Sequence, residues 1–310
     1  MTVDLTLVDG IPKHILPSNL VSIEVIQGGS NNRNLLINSY QLLKIYLQRD
    51  EKNDPVYLRY LREKNALIAL NRHNFAPKLL NSEETDNNYY IRRQWVGGST
   101  LNLDHFRNYP DKIMTPLSSL HKCTYTSKGD YDYFTVIERY IRDYKRYYEL
   151  TTEEEAVFPQ PEAIKAFYTN KRRDIRQLIQ PQLSTRIHGD LVFSNIISPL
   201  KGGNSIFIDW EYTTLGNPLI DLAYLFTQNE IPKNYQNDFL EVYEEHSSIK
   251  VDIPLLDEYC ILMNLMSALW YVLQSLRLDS TKGQALVPLI PSSDFRKLAQ
   301  QAFSELFIHQ

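Results

Sequence analysis

Two segments of the 310-residue chain gather side chains that could work on one reaction. The first is His188-Gly189-Asp190-Leu191-Val192-Phe193-Ser194-Asn195, and the second is Ile206-Phe207-Ile208-Asp209-Trp210-Glu211-Tyr212. In the first, a carboxylate and an amide stand five residues apart on one predicted loop. In the second, a carboxylate ends an apolar, strand-like run. Moving a phosphoryl group needs a carboxylate beside the attacking hydroxyl. It also needs oxygen ligands that hold a divalent cation against phosphates. Asp190 supplies such a carboxylate, and Asn195 and Asp209 supply such ligands. Each alone is an ordinary polar residue of a loop or strand end. The spacing, the apolar strand before Asp209 and the acid after it make the combination specific.

The pattern H-x-D-x-x-x-x-N followed by I-D-W-E resembles the choline kinase and aminoglycoside phosphotransferase superfamily, and within it the bacterial choline kinase-like proteins. The resemblance covers most of residues 22–278 and is strongest from Ile187 to Phe226. It implies an α+β, protein-kinase-like bilobal fold. An antiparallel-sheet lobe over residues 1–96 would bind nucleotide, and a larger, mostly helical lobe over 97–310 would carry catalysis and substrate binding. It further implies Asp190 as the base, Asn195 and Asp209 as Mg²⁺ ligands, and ATP as phosphoryl donor.

The first hundred residues fit that scheme. Gln27-Gly28-Gly29-Ser30-Asn31-Asn32 joins two predicted strands. Its glycines would let backbone N–H groups approach a phosphate, although a plain Gly-Gly hairpin looks the same. Lys44 lies in the otherwise apolar strand Gln41–Leu47, where an ammonium needs an anionic partner. Glu63 is the natural one, because it falls on the helical stripe Val56, Tyr60, Glu63, Leu67, Leu70. The alternative is a surface pair between Arg59 and Glu63 at i,i+4. Tyr90 to Gly98 resembles the interlobe hinge, with backbone near Gln94 and Val96 meeting the adenine edge.

The acceptor side rests on the same resemblance. Gly189 stands where protein kinases carry Arg, and eleven residues lie between Asp209 and Asp221. That leaves little room for a peptide-docking segment and favours a small molecule. Glu211, Tyr212 and Trp270 resemble the acidic and aromatic site that holds a quaternary ammonium in the choline kinase branch. A trimethylammonium offers no N–H, so ring faces and a carboxylate must select it. Many eukaryotic-type choline kinases have two Trp three residues apart here, whereas this chain has Ser267 at the earlier position. Thiamine, ethanolamine, an aminoglycoside or a sugar are alternative acceptors. A nucleotide-binding pseudokinase or a scaffold is the alternative of another class.

The elements that must position these residues follow from periodicity. Strands are predicted at Ser22–Gln27, Asn34–Asn38, Gln41–Leu47 and Asn88–Gln94 around one helix at Pro55–His73. Helices are predicted at Pro110–Lys122, Tyr133–Leu150, Glu162–Gln180, Pro218–Gln228, Asn234–Glu245, Ile253–Leu278 and Ser293–Phe307. Gly97-Gly98-Ser99 is the expected boundary between the two regions. The 33 basic and 37 acidic residues give a charge of −4, which argues against binding nucleic acid through bulk charge. Two cysteines 137 positions apart form neither a disulfide framework nor a metal cluster, and favour a reducing, cytoplasmic setting. No signal peptide is visible. Tyr259–Leu278 contains Asn264, Ser267, Gln274 and Arg277, and so reads as a buried helix of a soluble protein, not a membrane span.

Overall fold

In the computed structural model, the structure describes residues 10–26, 32–47, 55–85, 88–125, 130–149, 158–178, 184–280 and 292–307. Among the described residues ten strands run in chain order: β1 (Ile23–Ile26), β2 (Asn32–Ile37), β3 (Gln41–Leu47), β4 (Leu79–Glu84), β5 (Asn88–Gln94), β6 (Gly98–Thr100), β7 (Thr185–Ile187), β8 (Ile196–Pro199), β9 (Ile206–Phe207) and β10 (Thr214–Gly216). The helices are α1 (Val56–Ala69), α2 (Leu103–Asn108), α3 (Asp111–Leu120), α4 (Tyr133–Tyr148), α5 (Pro161–Leu178), α6 (Leu219–Gln228), α7 (Lys233–Ser247), α8 (Ile253–Ser280) and α9 (Ser292–Phe307). They divide between two compact units. One unit comprises Met1–Tyr131, Ser184–Gly216 and Ile231–Lys250, and the other comprises Asp132–Leu183, Asn217–Glu230 and Val251–Gln310.

The first unit is built on a five-stranded antiparallel sheet of order β1-β2-β3-β5-β4. The period of two sorts the side chains of its central strand. Leu43 and Ile45 face one way and join a core cluster with Leu35, Ile37, Tyr90, Ile11 and Ile15. The last two come from the segment before β1, so the short helical turn Lys13–Ile15 covers that face. Leu42, Lys44 and Tyr46 face the other way. There α1 packs, burying Val56, Arg59, Tyr60, Arg62, Glu63, Ala66 and Leu67 at helical spacing. Four strands and this helix match the sequence reading. The edge strand β4 was not expected, because Leu-Leu-Asn-Ser-Glu-Glu does not alternate.

Beyond β5 the backbone enters a smaller antiparallel sheet, β6-β8-β9. Asn102 caps α2 by accepting from the His105 N–H at 2.8 Å. Helices α3 and α7 pack together, and His121 Nδ1 lies 2.6 Å from the Tyr243 hydroxyl. Strand β7 pairs with β10, setting Ile187 opposite Thr214.

The second unit is helical, with α8 packed against α4, α5, α6 and α9. Leu262, Met263, Leu265, Ala268, Leu269 and Val272 are buried along α8. Its segment Ile253–Leu276 is long and apolar enough to cross a membrane by length and composition, and 56% of the most apolar window is buried in the protein. The segment expected to be a buried helix, Tyr259–Leu278, lies within α8.

Gly98 sits where β6 meets β8. A Cβ there would come 2.2 Å from the backbone oxygen of Ser198 and 2.8 Å from the Ile197 side chain. A backbone atom in a paired strand cannot step aside cheaply. Gly98→Ala should therefore cost about 1–3 kcal/mol, read as an earlier urea midpoint with an unchanged slope.

Candidate active site

The alternation of β3 and the stripe of α1 bring Lys44 and Glu63 together, and the Nζ–Oε2 distance is 2.7 Å. Both side chains are buried. Two more carboxylates meet the same ammonium. Asp209 bonds to it through Oδ1, and Glu211 through Oε2 at 3.1 Å. The carboxylate oxygens of Glu63, Asp209 and Glu211 lie within 4.8 Å of one another. Without a cation between them they would repel. Arg59, named above as an alternative partner of Glu63, is buried, and its Nη1 lies 3.8 Å from Glu211 Oε1.

Further groups close the cluster. The Tyr46 hydroxyl donates to Glu63 Oε2, and its ring lies 4.7 Å from the Lys44 Nζ. Asn32 Nδ2 donates to Glu211 Oε2 at 3.0 Å, and Arg62 Nε donates to the Glu211 carbonyl at 2.6 Å. Tyr46 was overlooked in the sequence, although it lies two residues after Lys44 on the same strand face. Arg62 is not singled out by the sequence reading and Arg59 enters it only in a surface pair, although two cations on the packed face of α1 are a signal that acids lie opposite.

Charge and burial oppose each other here. Burial pushes the Lys44 ammonium down, but Asp209, Glu211 and Glu63 outweigh it and hold the group well above its ordinary value. Asp209 is also penalised by burial, yet Lys44 pulls its carboxyl below the usual range. For Glu211 burial wins over Lys44, and its carboxyl is raised.

The His188–Asn195 loop follows β7. Gly189 takes φ +83°, a conformation in which a Cβ would be strained. The Asp190 N–H donates to His188 Nδ1 at 3.3 Å, so the Nε2–H donates to the Ile208 carbonyl at 3.0 Å. His188 thus orients the loop, and Trp210 packs on it with ring centroids 4.5 Å apart. Asn195 Nδ2 donates to Asp190 Oδ2 at 2.8 Å and to the Asp190 carbonyl at 3.0 Å. The Ile208 N–H in turn donates to the Asn195 carbonyl at 2.9 Å. Ile208, between β9 and Asp209, therefore ties the loop to that segment. Asp209 itself adopts the left-handed conformation, φ 68° and ψ 64°.

The remaining expected residues fall as follows. Gly28, Gly29, Ser30 and Asn31 lie outside the described residues. Gln94 is exposed and Val96 half-buried at the end of β5, with the Gln94 N–H bonded to the Lys78 carbonyl. Tyr212 is half-buried and meets Tyr131 edge to face at 5.3 Å. Trp270 belongs to the second unit and packs on Tyr271 and Phe295.

A model of the phosphotransferase enzyme family matches residues 22–259. The chain belongs to that family. This places it among the small-molecule phosphotransferases. It is 24% identical over 208 residues to the protein LicA homolog of Metamycoplasma hominis, covering 67% of this chain and 74% of that protein. Among solved structures it is similar to the choline kinase LicA from Streptococcus pneumoniae, with a TM-score of 0.68 and 20% identity over 93% of this chain and 95% of that one. It is similar also to the GDP and kanamycin complex of APH(2")-IIia, with a TM-score of 0.71 and 15% identity over 98% and 100% of the two chains. The α+β, protein-kinase-like fold expected from the sequence is the fold of this phosphotransferase.

Lys44→Met would leave Glu63 and Glu211 buried around no ammonium. We expect a loss of about 3–5 kcal/mol in urea unfolding. Adding Glu63→Gln to that variant should recover part of it, since one buried charge is then removed.

Proposed function

We propose that the protein transfers the γ-phosphoryl group of Mg²⁺-bound ATP to the hydroxyl of a small cationic alcohol, choline before others. The observation that carries the reading is the buried Lys44 ammonium. It is held by Glu63 and shared with Asp209, which follows Ile208, the residue bonded to the Asp190–Asn195 loop. In this reading residues 1–96 bind the nucleotide and 97–310 carry catalysis and the acceptor, in the cytoplasm.

The donor set suits Mg²⁺. Asn195 spends its amide N–H₂ on Asp190, so its carbonyl oxygen is left for a ligand role. Asp209 bonds Lys44 through one oxygen, and its side chain is 35% exposed. Two hard oxygen donors beside substrate phosphates are what this small cation takes. Held by Asn195 and Asp209, Mg²⁺ would supply positive charge to offset the negative charge that develops on the transferred phosphoryl group. Asp190 aligns the acceptor hydroxyl and takes its proton, and the hydrogen bond from Asn195 Nδ2 fixes the Asp190 carboxylate for that task. Lys44 neutralises phosphate charge. The nucleotide also meets the backbone of Gln94 and Val96 and the segment Gly28–Asn32.

The LicA homolog and the choline kinase LicA support a choline-type acceptor. Tyr212 and Tyr131 offer rings of the kind that a trimethylammonium needs. The likeness to a kanamycin-bound phosphotransferase keeps aminoglycosides as a second reading.

Purified protein should release ADP with choline above ethanolamine, thiamine and kanamycin, and EDTA should abolish turnover. Asp190→Asn should lose roughly 10²–10⁴-fold in kcat, the usual worth of a positioned base. Its thermal stabilisation by MgATP should remain, near 2.7 kcal/mol at a hundredfold excess over Kd. The absence of both, with no ADP released for any acceptor and no stabilisation by MgATP, would refute the proposed activity.

A further inference from the structure

We infer that Glu211 is a positioning residue for Lys44, a second permanent anchor beside Glu63, and does not contact the acceptor. The inference rests on the phosphotransferase reading given above and concerns the phosphate side of that site. An ammonium has three N–H donors. In this structure the Lys44 ammonium meets three carboxylates, those of Glu63, Asp209 and Glu211. For Lys44 to reach a phosphate, one of these bonds must yield.

The three are not equivalent. The side chain of Glu63 is 0% exposed and that of Glu211 is 4% exposed, whereas that of Asp209 is 35% exposed. Asp209 is therefore the partner a phosphate can displace. Glu63 and Glu211 remain, and they hold the ammonium from two directions, one from α1 and one from the turn Trp210–Tyr212.

Glu211 is in turn fixed from several sides. Its Oε2 accepts from Asn32 Nδ2 at 3.0 Å as well as from Lys44. Its Oε1 lies 3.8 Å from Arg59 Nη1, and its carbonyl accepts from Arg62 Nε at 2.6 Å. Both carboxylate oxygens are thus committed to side chains of β2, β3 and α1. A carboxylate so enclosed has no face left for a quaternary ammonium. Asn32 also begins β2 directly after the glycine-containing segment, so one carboxylate sets both the lysine and the strand end that follows this segment.

The test separates the nucleotide from the acceptor. Glu211→Gln keeps the shape and removes the charge. The MgATP Kd, measured by titration calorimetry, should rise about tenfold or more and kcat should fall, while KM for choline stays within twofold. Glu211→Asp should fall between wild type and Glu211→Gln, and it serves as the test if the Gln variant does not fold. A raised choline KM with unchanged MgATP affinity would overturn the inference and give Glu211 to the acceptor. Unchanged values for both would overturn it as well. Wild-type protein that neither binds MgATP nor turns over would instead remove the phosphotransferase reading, a distinguishable result.

Discussion

The Lys44 ammonium is the point on which the first unit converges. Three carboxylates from α1 and the turn after β9 lie within a few ångströms of one another. They can be ionised together only with a cation among them. The single positive charge does not balance three negative ones, and Arg59 at the edge of the group makes up part of the difference. Breaking such a buried cluster is costly, because the surviving charges are left without partners. The arrangement therefore locks β3, α1 and the 209–211 turn into one register. It does so through interactions whose strength lies in being mutually satisfied.

Around that point hydrogen bonds to the backbone join the segments. Ile208 donates to the Asn195 carbonyl and accepts from His188, so two peptide groups hold the His188–Asn195 loop against the residues before Asp209. Trp210 seals the arrangement from behind, with its indole N–H bonded to the Phe207 carbonyl at 3.0 Å. Thr213 does the same one step on, its hydroxyl donating to the Ile187 carbonyl at 2.6 Å. These polar groups have defined partners, which is what lets them remain buried.

Much of this was legible in the residues. The lone lysine of an apolar strand and a glutamate on a helical stripe are local signals, and periodicity relates them to one packed face. The long helices were legible for the same reason. What escaped notice had no period to read. Strands β6, β7 and β10 are three residues each, and α2 has six. Residues before β1 carry isolated isoleucines whose burial depends on a sheet face formed later in the chain. Glu211 illustrates the deeper difficulty. Its neighbours in sequence are a tryptophan and a tyrosine, and its partners in space are some 150 to 180 positions away. No local pattern announces which charges a carboxylate will meet.

The left-handed backbone at Asp209 carries a consequence for how such a protein changes over time. Glycine would occupy that φ and ψ without strain, and asparagine would do so nearly as well. Under the activity proposed above, a laboratory selection that rewards heat resistance alone would weigh that strain only against the ion pair with Lys44, and nothing in it would protect a metal-binding carboxylate. Pressure on turnover would then be what keeps an acid in that contorted place.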